Sequence, residues 1–233
     1  MLIYAPPELA ARASRLVAET GVAMVDPDGW FTYTGGIRSP VYLQIRDLTK
    51  YAPQWMEVVR CMAEFIRWAM TDAVSGSQRI PEPMKGVYGV PEGATLLSGA
   101  LAYELGVGAI RIHQERKAYG IGQTLFGIRP FEQACVLEDT SSTGTAVVAK
   151  GVAPLRACGV RVEHAFLFAS HGLGVAETFE RCGVTGFCLC RSEDIFGHVL
   201  ERSQHDERTR RIVRAWFEDP ETASNAYVVS HPA

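Results

Sequence analysis

The sequence has no apolar run near the roughly 18 residues that a membrane-crossing helix needs, so no membrane partner is expected. It also has no charge of one sign to spare. Lys and Arg number 23 against 26 Asp and Glu, a net charge of −3, which offers no footprint for nucleic acid or an anionic surface. Internal repeats and low-complexity stretches are absent. No basic segment followed by a long apolar one opens the chain, which argues against a secretory leader. Cysteine is present but unpatterned. Cys188 and Cys190 lie two apart, yet no second Cys/His pair stands at zinc spacing. The six cysteines therefore read as reduced thiols of a cytoplasmic protein. Two common phosphate signatures are missing as well: no Gly-Lys-Ser/Thr closes a glycine loop, and no three-glycine fingerprint follows a strand.

What is present is 233 residues, 47% of them hydrophobic, enough for one large domain with a real core. Glu8–Thr20 reads as a helix, with Leu9, Ala13, Leu16 and Val17 on one face and Pro7 in its first turn. Residues 39–47 alternate Val41, Leu43 and Ile45 with polar positions and read as a half-buried strand. Pro53 opens a second helix, with Met56, Val59, Ala63, Ile66 and Met70 at helical spacing. Residues 75–86 read as a polar loop. The pattern then becomes regular. Strands at 86–90, 108–113, 134–138, 160–169 and 184–190 alternate with helices at 93–105, 144–157 and 175–182. The third of these helices begins after Gly174, and the second is bent or ended by Gly151 and Pro154. A further helix starts at Ser192, and the tail after Pro220 reads as loose. Such alternation predicts an α/β fold, a Rossmann-like parallel sheet flanked by helices.

One segment needs more than a structural explanation. Ala134–Leu137 can pack as a buried strand, and it runs into Glu138 and Asp139, then Thr140, Ser141, Ser142, Thr143, Gly144 and Thr145. In open α/β sheets, ligands sit beyond the carboxyl ends of the strands. A hydroxyl-rich turn that opens a helix holds a phosphate through N–H donors and the helix dipole. Two carboxylates beside it would repel that phosphate, but they suit a diol or a magnesium ion. The segment therefore reads as a grip for a sugar phosphate. The bland alternative, a capped helix start, explains the hydroxyls but not two adjacent acids after a buried strand.

At these residues the chain resembles a known family. Residues 136–146, Val-Leu-Glu-Asp-Thr-Ser-Ser-Thr-Gly-Thr-Ala, are similar to the 5-phosphoribosyl 1-pyrophosphate (PRPP) motif of type I phosphoribosyltransferases. Residues 31–48 resemble the N-terminal signature of the orotate phosphoribosyltransferases. Residues 89–102 resemble their pyrophosphate loop, and residues 115–127 their mobile catalytic loop. Together these cover about residues 8–200. The resemblance implies one phosphoribosyltransferase domain over 1–233. Its parts are a small hood at about 22–50, a PRPP-binding core at about 51–200, and C-terminal helices and tail at 201–233. It implies PRPP and a small-molecule base as ligands, magnesium as cofactor, and a homodimer. It places PRPP on Glu138, Asp139, Thr140, Ser141, Ser142, Thr143, Gly144, Thr145 and Ala146, with magnesium carried by PRPP near the two acids. It places pyrophosphate on Pro91, Glu92 and Gly93. Catalysis falls to Lys117, Arg116 and Asp139, the mobile loop to His113, Gln114, Lys117 and Tyr119, and the acceptor site to Thr34, Ser142 and His171.

The chain departs from the family at several of these positions. His113 and Gln114 stand where the family has Arg, often followed by Lys, and Tyr119 replaces a His. Gln44 replaces an Asp, Thr34 a Lys common in the family, and Ser170-His171 a late Asp-Arg pair whose Arg meets the orotate carboxylate. Glu92 stands where some members have Lys. The PRPP half is kept, while the base half and the cationic loop are altered. Three readings stay open: a divergent orotate enzyme, a phosphoribosyltransferase for another acceptor, and a catalytically weakened PRPP-binding regulatory protein. An orotate enzyme of this kind would bind its acceptor weakly, and better as pH falls toward 6, provided that His171 faces the acceptor. The glycines at 120, 122 and 127 lead to the expectation that 114–128 is mobile in the free protein.

Overall fold

The computed structural model describes residues 2–33, 36–71, 84–113 and 124–231. A seven-stranded sheet forms its centre, in the order β1-β11-β10-β9-β6-β7-β8. Its strands are β1 (Leu2–Tyr4), β6 (Gly86–Gly89), β7 (Gly108–Ile112), β8 (Leu125–Phe126), β9 (Gln133–Ser141), β10 (Arg161–Ser170) and β11 (Thr185–Arg191). All neighbours pair in parallel except β7 and β8, which form an antiparallel edge. The expected parallel α/β sheet is therefore present. β8 was not anticipated: two residues carry too little periodicity to announce a strand.

Alternation along β9 explains why the sheet is covered on both faces. Cys135 and Leu137 pack into one apolar cluster, and Ala134 and Val136 into the other. The first cluster includes α1 (Pro7–Ala18), α2 (Ala52–Ala69) and α3 (Thr95–Leu105). The second is closed by α4 (Thr145–Val147), α5 (Ala153–Ala157) and α6 (Val175–Arg181). Pro154 does not end its helix. A π-helical turn, Val148–Val152, joins α4 to α5, so the helix is bent and continues. Gly151 lets it lie on the sheet, since a Cβ there would stand 2.6 Å from Val136 Cγ1.

The N-terminal hood comprises two small antiparallel ladders. β2 (Ala23–Val25) pairs with β5 (Val41–Leu43), and β3 (Phe31–Thr32) with β4 (Arg38–Ser39). The strand read over 39–47 is shorter than expected. From Ile45 to Lys50 the chain forms a 3-10 helix, and Ile45 and Leu48, one 3-10 turn apart, are both buried. In α2 the buried face is broader than the pattern implied: Val58, Cys61, Met62 and Phe65 are inside, while Met56 is half exposed.

The largest correction concerns the C-terminus. Residues after Pro220 are not loose. After α7 (Ser192–Arg202), Asp206 caps α8 (Glu207–Glu218), and Asp219 caps α9 (Pro220–Ser230), each accepting a backbone N–H three residues on. Trp216 of α8 is fully buried against the hood, and Tyr227 of α9 stacks on Trp30 with ring centroids 4.5 Å apart. α9 is weakly amphipathic, so its start, Asp219-Pro220-Glu221, is signalled in the sequence but its length has no apolar periodicity to mark it.

Candidate active site

Strand order reverses between β6 and β9. The chain leaves β6 toward β7 on one side, and leaves β9 toward β10 on the other. A crevice opens outside the carboxyl ends of two strands that diverge in this way. Val90 N–H still bonds Leu137 O at 2.9 Å, so the two strands end side by side. The loop after β6 carries Pro91, Glu92 and Gly93, with the Pro91–Glu92 peptide cis. Gly93 lies directly on Asp139: a Cβ would stand 2.6 Å from both carboxylate oxygens. Gly89 is as tightly placed, with a Cβ position 2.3 Å from Ala94 O. The pyrophosphate loop named in the sequence and the second acid of the motif are thus brought into contact.

The acids stand on the strand itself. β9 runs on through Glu138, Asp139, Thr140 and Ser141, beyond the expected end at 138, and the turn is only Ser142–Gly144. Glu138 is buried; Asp139 and Thr140 are part exposed. Burial first, then the neighbouring Asp139 carboxylate, pushes Glu138 well above the usual carboxylate range. Glu138 therefore holds a proton more tightly than a free carboxylate does. Gly144, at φ 77°, makes the turn, its N–H bonded to Ser141 Oγ at 3.0 Å. Thr143 and Thr145 share a hydroxyl–hydroxyl bond of 3.0 Å and are part exposed and exposed. The first amides of the following helix have no intrahelical partner. Hydroxyls and N–H groups thus converge at one turn, the chemistry of a phosphate seat.

The loop after β10 is tied to this turn. His171 N–H bonds Ser141 O at 3.1 Å, and Leu173 N–H bonds Ser142 O at 2.9 Å. The His171 ring lies 4.8 Å from the Tyr33 ring and 6.0 Å, edge-on, from Trp216. Its Nδ1 is buried with no hydrogen-bond partner. Desolvation holds the imidazole down, to about 4. Two cavities lie further out. One of about 200 Å³ touches Ser170, His171, Tyr4, Arg191 and Phe217. One of about 690 Å³ opens between α1 and α7, away from the acid pair.

No family model matches the chain. Among curated proteins it is similar to the orotate phosphoribosyltransferase of Porphyromonas gingivalis, 24% identical over 213 residues, covering 90% of this chain and 95% of that one. Among solved structures it is similar to the UMP synthase of Leishmania donovani, with TM-score 0.71 and 18% identity. That match covers 90% of this chain but only 42% of the synthase, so the chain spans less than half of that protein. It is also similar to the orotate phosphoribosyltransferase of Mycobacterium tuberculosis in complex with PRPP, with TM-score 0.57 and 18% identity, covering 81% and 99%. The chain has the type I phosphoribosyltransferase fold and is orotate phosphoribosyltransferase-like. Its relatives are enzymes of the pentosyltransferase class.

Within this phosphoribosyltransferase fold, Gly93 meets Asp139, and the His171 loop is bonded to Ser141 and Ser142 at the end of the same strand. His113 does not: it ends β7, its ring edge-on to Phe126 at 5.4 Å, and no hydrogen bond links it to the acids. Thr34, Gln114, Arg116, Lys117 and Tyr119 lie outside the described residues. Of the stretch expected to be mobile, residues 124–128 are described. Leu125 and Phe126 form β8, and Gly127 packs so closely that a Cβ would stand 2.0 Å from Ala109 O. That glycine serves close packing rather than freedom. The His171 ring packs against Tyr33 and Trp216, and desolvation lowers its pKa, so it gains no charge as pH falls to 6 in the free chain. Tyr33 and Trp216, which surround it, were not read as site residues. Tyr33 lay inside a stretch already singled out, but nothing near Trp216 in sequence signals its place. Among the described residues, no cluster of three or more His, Cys, Asp or Glu could hold a metal. No described helix is long and apolar enough to cross a membrane.

Proposed function

We propose that this chain transfers a phosphoribosyl group from PRPP to a ring nitrogen of a base, with orotate as the acceptor and orotidine 5′-monophosphate and pyrophosphate as products. The observation that supports this best is the meeting of Gly93 with Asp139 beside the Ser142–Gly144 turn, at the switch point of the sheet. The C1–oxygen bond to pyrophosphate breaks, the C1–nitrogen bond forms, and the ring-nitrogen proton passes to solvent. The 5′-phosphate sits on Thr140–Ala146, and the ribose hydroxyls bond Glu138 and Asp139. Holding both reactants in line removes entropy from the barrier. Glu138, when protonated, can donate as well as accept, while Asp139 only needs to accept. Magnesium would suit the part-exposed Asp139, since it takes one or two carboxylates and completes its shell with phosphate oxygens and water. When bound with PRPP it neutralises pyrophosphate charge. Lys117, with Arg116, carries positive charge toward the leaving group, as the sequence resemblance suggests.

The working unit is a cytoplasmic homodimer. α3 is mostly apolar, yet Leu96 is 61% and Tyr103 90% exposed, a face that a second copy would cover. All six cysteines are free, in keeping with a reducing compartment. A second reading, an uncharged acceptor, is favoured by one observation: the group in place of the family's arginine is a neutral, desolvated imidazole. Titration calorimetry with magnesium–PRPP, followed by turnover with orotate and a panel of uncharged bases, tests both. Absence of PRPP binding would end the proposal; turnover with an uncharged base alone would leave the second reading standing.

A further inference from the structure

The two-residue strands β3 and β4 have little ladder of their own, and an isolated two-stranded ribbon is marginal in water. Helices from the far end of the chain hold them. Ser224 Oγ of α9 accepts the Arg38 N–H at 2.9 Å, and Trp216 Nε1 of α8 donates to Arg38 O at 2.9 Å. The main chain of one β4 residue is thus gripped from both sides. Tyr227 adds a second hold. Its ring lies nearly parallel to Trp30 (8°), its hydroxyl donates to Asp28 O at 2.8 Å, and it accepts the Trp30 N–H at 3.3 Å. Arg208 pairs with Asp28 at 2.9 Å.

The grip reaches the site through aromatic contact. Trp216 stands edge-on to both Tyr33 (5.8 Å) and His171 (6.0 Å), and Tyr33 lies on His171 at 4.8 Å. His171 in turn is bonded through its N–H to the strand end that carries the acids. One buried indole therefore touches the hood, the acceptor loop and the β4 backbone at once. We propose that α8 and α9 form a clamp that sets the hood over the acceptor loop, with Trp216 as the positioning residue of the acceptor site. This rests on the phosphoribosyl-transfer reading for what the acceptor site does, though the clamp itself is a statement about geometry.

Two variants of the full chain test it. Trp216→Phe keeps a ring and removes the bond to Arg38; Ser224→Ala with Tyr227→Phe removes three hood bonds and leaves the indole alone. In hydrogen exchange, amides of 29–41 and 169–175 should exchange at least about tenfold faster in both variants, with those of 133–141 unchanged. Magnesium–PRPP affinity should stay within about twofold, while the orotate KM rises fivefold or more and kcat changes less than threefold. Unchanged exchange over 29–41 overturns the clamp, as does equal acceleration over 133–141, which would make Trp216 only a core residue. An orotate KM that stays put, or moves together with PRPP affinity, overturns its positioning role. If the parent binds PRPP but never turns over orotate, the orotate reading fails, and the exchange comparison still decides the clamp.

Discussion

Glu138 and Asp139 are neighbours in sequence, one buried and one part exposed. Burial first, then the adjacent carboxylate, favours the protonated form of Glu138. Glu138→Gln should therefore change magnesium–PRPP affinity less than threefold at pH 7, while Asp139→Asn should weaken it by roughly 1.5–3 kcal/mol, as loss of a charged hydrogen bond does. Calorimetry on the two single variants decides it. Stability gives a second readout. An acid whose folded pKa is raised binds its proton in the folded chain when the unfolded chain has lost it, so its contribution declines as pH rises above about 4.5. Glu138→Gln should gain melting temperature over the parent, more at pH 8 than at pH 5. His171 titrates in the opposite sense. The unfolded chain takes up its proton near pH 6.5, the folded chain only near 4, so stability is complete above 6.5 and is lost as pH falls toward 4. His171→Phe should flatten urea-unfolding free energy between pH 7 and 4.5 by on the order of 2–3 kcal/mol. The acid motif was legible because eleven consecutive residues, 136–146, carry it. The state of His171 was not, because residues 33 and 216 set it from far along the chain.

Elements with strong periodicity were read nearly to their ends. α1 and the parallel strands follow from alternating or helical apolar spacing, which is local information. The readings that failed have tertiary causes. β9 stays extended through two acids because β10 pairs with it as far as Ser141. α9 exists because Trp30 and Arg38 give it something to hold. The bent helix after the phosphate turn offers a test at this scale. Gly151→Ala places a methyl 2.6 Å from Val136 Cγ1 and 3.2 Å from Val90, between the helix and the two strands that frame the crevice. Overpacking of this kind costs roughly 1–3 kcal/mol. Chemical denaturation should show that loss, and PRPP affinity should fall with it because the same helix begins at the phosphate turn.

For the whole molecule, the exposed apolar face of α3 sets an expectation for assembly. Tyr103→Glu puts charge on that face without touching the core, since the side chain is 90% exposed. Light scattering should find the parent at twice its chain mass of 25.5 kDa and the variant at one. A parent that runs as a monomer at all concentrations would remove the dimer from the proposal. The resemblance implied a homodimer but not the face that forms it, because an interface face and a core face look alike in a mostly apolar helix.

The hairpin of β7 and β8 has a consequence for how this protein can be altered. His113 N–H bonds Thr124 O at 2.9 Å, and Gly108 and Gly127 interlock beneath, so both ends of the ten residues 114–123 are fixed by contacts that lie outside the segment. Whatever is spliced between those ends starts and finishes at the same place. The fold then responds to an insert chiefly through its length, and doubling a closed loop costs only about 0.6 kcal/mol. A version with twice the length between the same two anchors should melt within about 3 °C of the parent. Segments of different charge and reach can therefore be compared between the same anchors. A drop in melting temperature well beyond that would show that the segment is part of what holds the sheet edge together.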